Sequence, residues 1–123
     1  MIVLIDDVGL ISWTPTNDDV GAVEVIISAT DTTGAVGYQQ YTLTVFNVND
    51  PPSIVSTPVS TAIENLLYQY QLNINDIDPN ETFVYVLDAA PSGMSIDVDG
   101  MISWIPLTEQ AGDHVVTVTV TDS

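Results

Sequence analysis

Three groups of oxygen-bearing side chains stand in a chain that has no lysine, no arginine and one histidine. Asn47, Asn49 and Asp50 lie in NVNDPP, and Asp76 and Asp78 in NDIDPNE. Asp122 closes a run of alternating valine and threonine, with Asp31 at the matching place earlier. Asp76 and Asp78 are two residues apart and Pro79 follows, which favours a loop that turns both carboxylates to one point. Calcium takes six to eight oxygens at about 2.3–2.6 Å and tolerates irregular loops that add backbone carbonyls. There is no cysteine, so the donors are oxygen only, which favours calcium or magnesium over zinc or copper. Carboxylates held together without a cation repel, and their protonation is favoured. The competing reading is an acidic, solubilising surface of hydrated turns. Asp18 and Asp19 in TNDD suit it from the residues alone.

The formal charge is −17, from 17 Asp plus Glu. Nothing here can neutralise phosphates, so no nucleic-acid partner is expected. An anionic lipid surface would repel the chain, and no apolar run approaches the roughly 20 residues that cross a bilayer. The opening MIVLI is short for a signal segment and lacks a basic flank, so any export signal is expected outside this sequence. Without Lys, Arg or Cys, only a carboxylate pair could catalyse. The acids fall in turns at domain ends, so the chain is expected not to be an enzyme.

The elements that position these residues repeat. IDDVGLISWTP at residues 5–15 returns as IDVDGMISWIP at 96–106. Trp13 matches Trp104, Pro15 matches Pro106, Gly21 matches Gly112 and Asp31 matches Asp122, each 91 residues apart without a gap. That period suits one seven-stranded sandwich. Period-two alternation marks the strands. Tyr68, Tyr70, Leu72 and Ile74 share one face. So do Val116, Val118 and Val120 in HVVTVTVT, and Tyr41, Leu43 and Val45 in YTLTVFNV. FVYVL and ISW supply further strands, and no 3.6-residue period appears. Trp13 and Trp104 keep one phase in both copies, which favours packing over a sugar platform. His114 matches Val23 and reads as a strand-edge residue.

The stretches AIENLLYQYQL, DIDPNETFVYVL, APSGMSIDVDGMISWIP and AGDHVVTVTVTD, with the NVNDPP join, resemble cadherin-like repeats of the dystroglycan-type and putative-Ig families of bacterial surface proteins. The resemblance implies an Ig-like, cadherin-like antiparallel Greek-key β-sandwich with calcium at the junction between successive domains. It implies that Asn47, Asn49 and Asp50 form the linker part of that site. Asp76 and Asp78 would be the paired acids of the following domain, and Asp122 its later single acid. It places Asp19 near an acidic position at the base of the preceding domain. Glu64 resembles a first-strand glutamate serving the next junction. The chain departs from the pattern at Asn47, at Pro51 and at Leu107–Gln110, where acids or amides are expected. One calcium ion is expected instead of three.

The expectation is therefore an all-β tandem repeat of period 91 cut out of register. Residues 1–48 would be the C-terminal half of one repeat and 49–52 a linker. Residues 53–123 would be the following repeat without its last strand. Its function would be that of a calcium-binding structural or adhesive module of a large extracellular, cell-surface protein. Neighbouring repeats or like chains are the expected partners. A carbohydrate-binding accessory domain, with polysaccharide on Tyr38, Tyr41, Tyr85 or Trp104, is the alternative, as is a virion or filament subunit. The strand YQQYTLTVFNV is expected to pair within the chain or with another chain, and the short NDPP join favours exchange between chains.

Overall fold

The structure, a computed structural model, describes residues 4–123. Those residues form strands, turns and two short 3-10 turns, and no helix among them is long and apolar enough to cross a membrane. They divide into two compact units, one up to Asn49 and one from Asp50 to Ser123.

In the first unit, β1 (Leu4–Ile5) and β2 (Ile11–Ser12) form a small antiparallel pair. A 3-10 turn at Asn17–Asp19 leads into β3 (Gly21–Thr30), which pairs along its whole length with β4 (Val36–Val45), from Gly21 opposite Val45 to Thr30 opposite Val36. Alternation sets the faces: Val23, Val25 and Ile27 are half-buried, while Ala22, Glu24 and Ile26 are exposed. Leu43 and Tyr41 stand opposite Val23 and Val25, and each is 40% exposed. This ribbon therefore carries a half-open apolar face.

The second unit holds β5 (Ser53–Ile54), β6 (Tyr68–Gln71), β7 (Ile74–Asn75), β8 (Val84–Ala89), β9 (Ser95–Ile96), β10 (Met101–Trp104) and β11 (Thr117–Thr121). Strand β10 lies between β6 and β9, β11 pairs with β8, and β5 pairs with β7, all antiparallel. Tyr70 and Leu72 at β6 and Ile102 of β10 form the buried core. Tyr85 and Leu87 of β8 and Val118 of β11 pack against it, which makes two layers around one apolar interior. Trp104 is buried, and its indole N–H donates to the Ser92 carbonyl at 3.2 Å. The Tyr85 ring lies so close to Gly100 (φ +78°) that a Cβ there would meet it at 2.9 Å.

The valine–threonine run differs from its reading as one strand. Only Thr117–Thr121 pair with β8, and among the described residues 112–116 join no ladder. The reason is the neighbour: β8 ends at Ala89, opposite Thr117, whereas the matching β3 is paired by β4 over all ten residues. His114 thus precedes the strand. Its Nε2 lies 2.6 Å from the Gln110 carbonyl, and its ring stands edge-on to Trp104 at 5.3 Å.

Candidate metal centre

Aspartate side chains here first of all cap backbone. Asp6 Oδ1 accepts from the N–H groups of Val8 and Leu10 at 3.1 and 2.7 Å, and Asp97 Oδ1 accepts from Asp99 and Met101 at 3.0 and 2.9 Å. Gly9 and Gly100 close these two turns with φ of +83° and +78°, a conformation glycine adopts without a Cβ penalty. The repeated ID-x-x-G is thus a hairpin turn built twice. Asp31 Oδ1 accepts from the Thr33 hydroxyl and from the N–H groups of Thr33 and Ala35, at 2.7, 2.8 and 2.9 Å. These bonds, the Thr33 hydroxyl foremost, hold its carboxyl below the usual range.

Asp19 does the same at its 3-10 turn. Its Oδ2 accepts from the Thr16 N–H at 2.9 Å and the Thr16 hydroxyl at 3.0 Å. The Thr16 N–H is the chief reason its pKa lies below the ordinary carboxylate value. In the second unit Gln110 Oε1 accepts from the Leu107 N–H at 2.9 Å, so the amide 91 residues on performs the same task without charge. Glu64 is exposed in a turn closed by the Leu66 N–H on the Ile63 carbonyl, not in a strand.

The loop after β7 is different. Asp76 Oδ1 accepts from the Asp78 N–H at 2.9 Å, an Asx-turn that folds the two acids together. Asp78 is only 7% exposed, and its Oδ2 accepts from the Asp50 N–H. The chain entering the unit is thereby tied to the loop. Asp76 Oδ2 is buried and has no hydrogen-bond partner among the described residues. A buried carboxylate oxygen left in that state costs free energy that folding must offset elsewhere. At the same end, Glu81 Oε2 accepts from the Ser123 N–H and hydroxyl at 3.2 and 2.7 Å, and Asp122 Oδ2 is buried. Glu81 escaped the sequence reading. Its only signal was its place five residues after Asp76.

The structure thus brings Asp50, Asp76 and Asp78 together. Asn47 and Asn49 are exposed beyond β4, in the other unit. Among the described residues no three Asp, Glu or His side chains converge as a metal site would require. What the loop offers a hard cation is two carboxylates folded together, one of whose oxygens, Asp76 Oδ2, is buried without a hydrogen-bond partner among the described residues.

Two antiparallel layers closed over a Tyr70–Ile102–Trp104 interior, with Asx-capped hairpins, define an Ig-like β-sandwich. The family model for the putative Ig domain (He_PIG) matches residues 3–46 and 51–123, and the chain belongs to that family. No curated protein matches the chain.

Proposed function

We propose that the chain is a structural and adhesive module of an extracellular repeat protein. Calcium at the Asp76–Asp78 loop would stiffen the entry into the second unit. Family membership supports the surface-module reading. The observation that carries the metal is the buried, unpartnered Asp76 Oδ2 beside the buried Asp78, in a protein with no Lys or Arg to pair with either. Asp76 and Asp78 supply the charged donors. Because Asp78 also holds the Asp50 N–H, a cation there draws the linker and the loop into one rigid piece. Local structures that recur at a spacing of 91 residues support an array of such modules.

Calorimetric titration with calcium tests this reading. Heat of binding is expected with the intact chain and a large loss of affinity with Asp76→Asn combined with Asp78→Asn. No heat, or equal heat from the double variant, would sink the calcium assignment. The buried Trp104 and the Tyr85 ring packed against Gly100 leave Tyr38 and Tyr41 as the exposed members of the aromatic set considered for sugar binding.

A further inference from the structure

We propose that the outward face of the β3–β4 ribbon binds an uncharged polysaccharide of β-1,4-linked glucose or xylose, with Tyr38 as the stacking platform.

The face follows from alternation. Val23, Val25 and Ile27 lie on one side of β3, so Glu24, Ile26 and Ser28 lie on the other. Thr42, Gln40 and Tyr38 of β4 stand opposite those three. The copy of β3 at the 91-residue spacing shows which side is outward. Val118, the counterpart of Ile27, packs against the core of the second unit. Thr117 and Thr119, the counterparts of Ile26 and Ser28, are exposed. The Tyr38 side is therefore the outer side of a sandwich, and covering the inner face leaves it open.

Tyr38 is 76% exposed and Ile26 63%, an aromatic ring and an aliphatic side chain turned to solvent on adjacent strands. Beside them the Gln40 amide donates to Glu24 Oε1, which holds two long side chains in place. Gln40 Oε1 and Glu24 Oε2 remain to accept, and the second amide N–H remains to donate. A pyranose needs this combination, because its C–H face stacks on an aromatic ring and its hydroxyls both donate and accept. Successive units of a β-1,4 chain turn over. Only units whose hydroxyls are all equatorial, as in glucose and xylose, then present an apolar face to one platform either way up.

Charge and polarity set aside other occupants. The chain has no Lys or Arg, and β3 and β4 hold one acid, Glu24, so an acidic polysaccharide finds no cation and is repelled by the net charge of −17. A stable protein partner needs about 800 Å² on each side with an apolar centre. Here Ser28, Thr42 and the amide–carboxylate pair break up the apolar surface.

Amide shifts of the isotope-labelled chain, followed by NMR on addition of cellohexaose, xylohexaose or maltohexaose, test this. The titrations are run in EDTA, so their outcome is independent of the calcium assignment. Cellohexaose or xylohexaose is expected to move the amides of residues 24–28 and 38–42. Maltohexaose, whose α-linkages curve the chain away from a flat strip, is not. Tyr38→Ala should weaken binding at least about tenfold, whereas Tyr38→Phe, which keeps the ring, should bind within about twofold of the unsubstituted chain. Unchanged amide shifts away from β4 show that Tyr38→Ala retains the fold. No shift with either β-linked chain, shifts centred elsewhere, equal binding of maltohexaose, or binding untouched by Tyr38→Ala would overturn the proposal.

Discussion

A carboxylate in this protein can turn to water, a metal ion, a backbone N–H or an uncharged side-chain donor such as a hydroxyl, because there is no cationic side chain except His114. Asp6, Asp19, Asp31 and Asp97 take the backbone, each closing a turn. Asp76 satisfies one oxygen that way and leaves the other buried and unpartnered, which is what sets it apart. Close packing shows at Gly100. There Ala would carry both an unfavourable φ and a Cβ 2.9 Å from the Tyr85 ring, whereas Gly9, its counterpart 91 residues earlier, faces open space. Gly100→Ala is expected to lower the stability of the second unit by about 1–3 kcal/mol, read by urea unfolding followed through tryptophan fluorescence. Gly9→Ala should leave that transition where it was.

The hairpin of β3 and β4 depends on its turn, and the turn depends on an ionised Asp31. Its folded pKa lies below the ordinary carboxylate value, chiefly through the Thr33 hydroxyl. The bonus it gives is therefore present above about pH 4 and fades as pH falls through the lowered folded value. Amide shifts of Thr33 and Ala35 followed by NMR between pH 6 and 2 should move toward disordered values below pH 4. In Asp31→Ala that titration should vanish. The other long strand is uneven by construction. Amides of residues 113–116 are expected to exchange with solvent much faster than those of β11 that face β8. Uniform protection of the whole run would contradict the ladder that stops at Thr117.

Over the whole molecule, a charge of −17 opposes compaction, and screening relieves it. The Debye length falls from about 10 Å at 0.1 M salt to about 3 Å at 1 M. The Tm should thus rise with sodium chloride, measured by calorimetry. Calcium adds a separate effect under the proposed function. At 100 times Kd it contributes about 2.7 kcal/mol, worth roughly 10–20 °C for a unit of this size. An increase no larger than that from sodium chloride at matched ionic strength would argue against a bound ion.

Period-two alternation at Tyr68–Ile74 and at Val118–Val120 already marked the strands and the inward faces, because strand geometry leaves a pleated residue only two sides. The repeated ID-x-x-G and ISW-x-P likewise marked matching turns and a packed tryptophan. What sequence did not reveal was how the acids are employed. Asx-capping depends on which N–H groups a turn presents, and a list of aspartates does not contain that. It also showed no difference between His114–Val116 and Thr117–Thr121, since both belong to one alternating run. Tertiary structure separates them by giving β8 enough length to reach only Thr117, and burial distinguishes Asp76 and Asp78 from the other turn aspartates. Alternation and turn chemistry are local and can be read along the chain. Which edge stays open, and which oxygen loses water without gaining a partner, depends on residues brought together only by folding.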